Sequence, residues 1–133
     1  MRVFDTRSRE KRELETLEEG KVGLYVCGIT PYSPSHIGHA RQAISFDIIV
    51  RWLRKSGFEV SYITNFTDVD DKIIAAANED GVDFLEVANR NIAEYFESMD
   101  SLNVIRADAY PRVTETIPEI IGMIETLIDK GHA

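Results

Sequence analysis

The feature that most constrains this chain is a strand, turn, helix, strand pattern between Val22 and Tyr62. Val22, Leu24 and Val26 alternate with other residues, the period of two that marks a strand. Gly28-Ile-Thr-Pro-Tyr-Ser-Pro-Ser35 follows, a run of turn formers that continues neither a strand nor a helix. From Ile37 to Lys55 the chain reads as one long helix, stopped by Gly57 with Lys55 in its last turn. Its apolar residues cover two faces: Ile37, Ala40, Ile44 and Ile48 on one, Phe46, Ile49, Val50 and Leu53 towards another. Packing from more than one side is expected of such a helix. Phe58, Val60 and Tyr62 then alternate again as a second strand. This order is a βαβ unit, with parallel strands and a right-handed crossover.

Before the unit, Val3-Phe4 offers a short apolar start. Arg7 to Glu19 are dense in charge and read as a solvated loop or frayed helix, ended by Gly20. After it come three helical segments. Asp71 to Glu79 is short and closed by Gly81. Leu85, Ala88, Ile92, Tyr95, Phe96, Met99 and Leu102 form a stripe at helical spacing. So do Ile117, Ile120, Ile121, Ile124, Leu127 and Ile128, with Pro118 tolerated in the first turn and Gly131 placed as a cap. Two clear strands, with Val3-Phe4 as a third at most, make a small sheet for so many helices. The pattern is that of a piece of a larger α/β domain.

Composition narrows the setting. The net charge of −8 argues against a surface that binds nucleic acid indiscriminately. A local basic stretch, Arg41, Arg51, Arg54 and Lys55 against Asp47 alone, keeps an RNA partner open. No stretch approaches the roughly 20 apolar residues needed to span a bilayer, and the first residues lack the apolar core of a signal peptide. Cys27 is the single cysteine, which rules out an internal disulfide; a reducing, cytoplasmic setting is expected.

Ligands of an open parallel sheet bind beyond the carboxyl ends of its strands. Those ends are Cys27-Gly28-Ile29-Thr30 and Asn65-Phe66-Thr67-Asp68. The long helix starts at the same edge, where backbone N–H groups and the dipole favour anions. His36 and His39 stand there, three apart and so on one face, with Gly38 between them leaving the backbone open to a ligand. Each residue also has a plainer reading. Cys27 could be a small buried core residue, the histidines a half-exposed helix start, and Asp68, Asp70 and Asp71 a capping cluster for the next helix.

The combination is more specific than its parts. Pro34-Ser-His-Ile-Gly-His-Ala-Arg41, in a strand-to-helix context, resembles the first signature of class I aminoacyl-tRNA synthetases. Leu24-Tyr-Val-Cys-Gly-Ile-Thr30, Tyr62-Ile-Thr-Asn-Phe-Thr-Asp-Val-Asp-Asp-Lys-Ile73 and Ala107-Asp-Ala-Tyr-Pro-Arg112 look like the corresponding segments of cysteinyl-tRNA synthetases. The resemblance runs on to Gly131-His132, essentially the whole chain.

The resemblance implies an α/β fold: the first half of a Rossmann-type parallel-sheet nucleotide-binding catalytic domain, helix-rich and incomplete. Residues 1–112 would form that half, and residues 113–133 the start of a connective insertion. It implies ATP, with Mg²⁺, L-cysteine and tRNA(Cys) as partners of the complete protein, together with the missing C-terminal part of the same polypeptide. His36 and His39 match histidines that contact the ATP triphosphate and stabilise charge at the α-phosphate. Gly38 matches the position over which adenine packs, and Gly28, Thr30 and Thr67 match positions around the cysteine pocket. Cys27 matches one ligand of a zinc ion that binds the substrate thiolate. A metal that suits sulfur would separate cysteine from serine without an editing site.

The remaining zinc ligands, the family's lysine-rich second signature and its anticodon-reading domain do not occur in these residues. The isolated chain is therefore expected neither to hold zinc tightly nor to charge tRNA. Two rival readings accompany this one. A ligase joining cysteine to the amino sugar of mycothiol synthesis resembles the same segments, though Arg41 and Lys72 look more like the synthetase pattern. The other rival is a non-catalytic fragment that binds a nucleotide, cysteine or a partner protein.

Overall fold

A computed structural model describes residues 1–133. Its elements, in chain order, are β1 (Arg2–Asp5), β2 (Glu10–Glu13), β3 (Lys21–Ile29), α1 (Ile37–Lys55), β4 (Glu59–Phe66), α2 (Asp71–Asp80), α3 (Phe84–Ser101) and α4 (Ile117–Asp129). The βαβ unit is present as expected. β3 and β4 pair in parallel from Lys21–Glu59 onwards, and α1 connects them.

The charged N-terminal stretch differs from the expectation in its first part. Instead of a loop or frayed helix, residues 2–13 form an antiparallel hairpin of β1 and β2, in register from Arg2–Glu13 to Asp5–Glu10, while residues 14–19 lie outside any helix or named strand. The Asp5 carboxylate accepts the Arg7 and Ser8 N–H groups and closes the turn, while Arg9 takes a positive φ of 56°. Neither strand has a buried residue, so no apolar alternation marks them. Val3-Phe4 thus belongs to this hairpin and not to the parallel sheet.

The parallel sheet gains a third line from a segment with no strand signal. Residues 108–113 run alongside β4: Asp108 N–H donates to Tyr62 O, Thr64 N–H to Ala109 O, Phe66 N–H to Pro111 O and Val113 N–H to Phe66 O. Pro111 breaks a continuous ladder there, since it has no N–H to give. The Asp108 carboxylate also accepts the Tyr62 N–H, at 2.7 Å.

Along β4, Val60, Tyr62, Thr64 and Phe66 are buried while Glu59 and Ser61 are exposed. Val60, Tyr62 and Val26 pack with Val50 and Leu53 of α1; Phe66 and Ile29 pack with Ile92 of α3. The helices therefore cover one face of the sheet. α1 buries a single side, Ala40, Ala43, Asp47, Val50 and Leu53. Its second apolar face is open: Ile37 is 85%, Ile48 62% and Trp52 59% exposed. Packing from two sides, as the sequence suggests, is not met within these residues. The charged member of the buried side, Asp47, accepts the Ile105 N–H and the Arg51 guanidinium, both at 2.8 Å.

The helix ends follow sequence rules. Asp70 caps α2 through the Lys72 N–H, and Gly81 ends it at φ 69°. Pro118 falls in the first turn of α4, and Gly131 follows it at φ 73°. No residue of α4 is buried, although seven of its large apolar side chains are present. No helix is long and apolar enough to cross a membrane.

Candidate active site at the strand ends and the start of α1

The start of α1 is built by its own two histidines. His36 is the N-cap, with extended backbone, and its Nδ1 accepts the Gly38 N–H at 3.0 Å. His39 Nδ1 accepts the His36 N–H at 3.3 Å, so the pair forms a reciprocal cap in which histidine replaces the usual hydroxyl and carboxylate. The rings stack at 4.0 Å with an interplanar angle of 18°.

This geometry sets the tautomers. Each Nδ1 accepts a backbone N–H, so the N–H that each ring has left to offer is the one on Nε2. Two Nε2–H donors stand side by side at a helix N-terminus, where an anion is favoured. Burial, helped by the neighbouring His36, holds His39 below the usual histidine range, which keeps the ring neutral.

Gly38 is open in a different sense from the expected one. A Cβ there would lie 2.7 Å from Cε1 of His36, whose ring occupies the space above it. The glycine first makes room for the cap.

The ends of β3 and β4 form a second group. Gly28 passes so close to β4 that an added Cβ would lie 1.5 Å from the Asn65 carbonyl oxygen. Only glycine fits that approach. The Thr67 N–H donates to Ile29 O at 3.0 Å, bringing Thr67 beside the β3 end. Thr30 lies just past the strand and is half-buried.

Cys27 is not a core residue. It is exposed, and its carbonyl accepts the Gln42 side-chain amide at 2.8 Å, from the second turn of α1. No cluster of three or more His, Cys, Asp or Glu side chains suited to a metal occurs. The residues present therefore do not make a metal site by themselves: Cys27 stands as one sulfur donor without companions.

The aspartates divide. Asp70 caps α2 and the exposed Asp71 lies in its first turn, as read from the sequence. Asp68 does not cap; it is fully buried and accepts the Thr114 N–H at 3.0 Å and the Thr114 hydroxyl at 2.6 Å. It ties the end of β4 to the segment leading into α4. Asp68→Ala removes both bonds and leaves a part-buried Thr114 N–H unpaired, so a loss of about 1–3 kcal/mol is expected. The control Asp71→Ala should cost less than about 1 kcal/mol. Denaturant midpoints of the complete protein check the pair; equal shifts would contradict the buried clamp.

No single cavity collects these groups. A cleft between β3 and α1, lined by Cys27, Gly28, Gln42 and Tyr95 among others, has about 10 Å³ of free space, too little for a substrate. A wider groove of about 380 Å³ lies by Leu14, Glu18, Lys21 and Glu59, at the amino ends of the strands and away from the chemistry. The structure thus brings Gly28 to Thr67 and His36 to His39, and leaves Cys27 apart with Gln42. Sequence reading assigned no role to Asn65 or Gln42, although both touch these groups. Their signal is a polar residue inside a strand and another inside a helix, which many solvated positions share.

Comparison with known proteins places the whole chain. The family described as tRNA synthetases class I (C) catalytic domain matches residues 13–133. A cysteine–tRNA ligase of Maridesulfovibrio salexigens is 52% identical over all 133 residues, which cover 27% of that relative. One from Syntrophobacter fumaroxidans is 53% identical, with the same coverage. Among solved structures, a Mycobacterium tuberculosis methionyl-tRNA synthetase in complex with methionyl-adenylate superposes with a TM-score of 0.62. It is 29% identical, over 69% of this chain and 18% of that one. The chain spans about a quarter of the length of these curated relatives, 27% for both.

Proposed function

Since the chain belongs to the class I tRNA synthetase catalytic-domain family, we propose that it is the N-terminal part of a cysteine–tRNA ligase that activates cysteine with ATP. The paired Nε2–H groups of His36 and His39 at the start of α1 are the observation that carries the reading. A carboxylate oxygen of cysteine attacks the α-phosphorus of ATP, the bond to the β,γ-unit breaks, and cysteinyl-adenylate and pyrophosphate form. A terminal ribose hydroxyl of tRNA(Cys) then attacks the carbonyl carbon, and AMP leaves.

The histidines serve this sequence by donating to phosphate oxygens as charge develops. They are held in place beforehand by Nδ1 bonds from the Gly38 and His36 N–H groups, so little reorganisation is needed. Each ring has Nδ1 engaged with the backbone and its Nε2–H left to donate. Mg²⁺ would accompany ATP. Gly38 would border the adenine, with the His36 ring beside it. Gly28, Thr30 and Thr67 would border the amino acid.

Cys27 is proposed as one zinc ligand, with its companions supplied from outside these 133 residues. No step above is routed through that metal. Residues 1–112 would be the catalytic half-domain and 113–133 the start of a connective insertion, in keeping with an α4 that buries nothing here. The protein would work in the cytoplasm.

The test is exchange of labelled pyrophosphate into ATP by the complete protein. Exchange that needs cysteine and is not supported by serine is expected, followed by cysteine transfer to tRNA(Cys). Exchange with cysteine but transfer only to glucosaminyl-inositol would favour the amino-sugar ligase instead. No exchange at all would favour a non-catalytic fragment.

A further inference from the structure

We infer that Asn65 is a positioning residue that assembles the amino-acid side of the site before any substrate arrives. The inference rests on the cysteine-activation reading and adds to it a residue that touches no reacting atom.

It begins from a fault in the sheet. Val26 pairs with Thr64 and Ile29 with Phe66, so β3 spends three steps where β4 spends two. The extra residue of such a bulge leaves the ladder, and its backbone groups must be satisfied in another way. Side chains do this here. The Gly28 N–H donates to Asn65 Oδ1 at 2.8 Å, and the Cys27 carbonyl accepts from Gln42 at 2.8 Å. The same Asn65 amide reaches Thr67 Oγ1 through its nitrogen, at 3.4 Å. One side chain thus ties Gly28 to Thr67 across the carboxyl ends of both strands.

Asn65 is also the residue whose carbonyl lies against Gly28. The close approach and the hydrogen bond therefore support one another: glycine admits Asn65, and Asn65 fixes where the glycine sits. An amide is suited to this span because it carries an acceptor and a donor on one planar group. Loosening it would disorder Gly28 and Thr67 relative to each other. The His36–His39 cap, which is built from its own backbone, would be untouched. The expected defect is thus confined to the amino acid and does not extend to ATP.

The experiment uses the complete protein and pyrophosphate exchange with cysteine and ATP varied separately. Asn65→Ala should raise KM for cysteine roughly tenfold, the scale of one lost hydrogen bond, and change KM for ATP less than about twofold. Asn65→Asp keeps an acceptor for the Gly28 N–H and loses the donor to Thr67, so an intermediate KM for cysteine is expected. If the alanine variant does not fold, the aspartate variant decides alone. Equal shifts in both KM values, or no shift in either, would overturn the inference.

Hydrogen exchange at the Gly28 amide gives a readout independent of activity. Roughly tenfold faster exchange is expected in Asn65→Ala, and unchanged protection would also overturn it. Wild-type protein without cysteine-dependent exchange would count against cysteine activation, while the amide exchange would still decide the role of Asn65.

Discussion

Gly28→Ala is expected to cost the complete protein on the order of 3–5 kcal/mol, more than the same change at any other glycine of this chain. The added Cβ would lie 1.5 Å from the Asn65 carbonyl oxygen and 2.6 Å from its carbon. Those are backbone atoms of β4, so no rotamer change relieves the overlap. β3 and β4 would have to part at their carboxyl ends, where Thr67 donates to Ile29 and Asn65 accepts from Gly28. A loss of this size is a large share of the roughly 5–15 kcal/mol that holds a domain together. The control is Gly23→Ala in the same strand, where nothing lies within 4 Å of the new Cβ and the change should stay within about 1 kcal/mol. Denaturant midpoints of the two variants measure the difference. Similar midpoints would mean that the strands do not approach as described.

The second large effect concerns catalysis. His39→Ala in the complete protein is expected to lower kcat for cysteine-dependent pyrophosphate exchange by roughly 10²–10³, the scale of removing one well-placed donor to a developing anion. KM for cysteine should change little, because His39 lies with His36 at the helix start and apart from the Gly28–Thr67 group. His39→Gln, whose amide offers both an N–H donor and an acceptor for the His36 N–H, should recover part of the loss. His36→Ala should combine a similar fall in kcat with about 0.5–2 kcal/mol of lost helix capping, since its ring is the N-cap acceptor. A kcat for His39→Ala within about threefold of the wild type would remove the histidine pair from the mechanism.

The two sites differ in how much of each is legible in the sequence. The histidine pair was visible in the sequence: three-residue spacing at the start of a periodic helix puts both side chains on one face, and they stack at 4.0 Å. That each ring uses Nδ1 to cap the helix was not visible, because histidine seldom fills a capping box. Gly28 was visible as a turn former and as part of a resembling motif. Its need to be glycine comes from a carbonyl 37 residues away in the chain.

What the sequence by itself determined is the local part of the protein. The two alternating runs, the helix between them, the caps at Asp70 and Gly81 and the helix behind Pro118 rest on periodicity and backbone preference among neighbours. The family motifs also lie in short continuous segments, so they could be read in place. The tertiary structure decided everything that depends on a distant partner. Charged residues 2–13 became a hairpin because they pair with each other and not because they are apolar. Residues 108–113 joined the sheet because β4 offered open N–H and C=O groups. Asp68 turned from a cap into a buried clamp because Thr114 reached it, and one apolar face of α1 stayed open because nothing in these residues covers it. Periodicity reports which side of an element is apolar; only the fold supplies what that side, or a lone polar group within it, will meet.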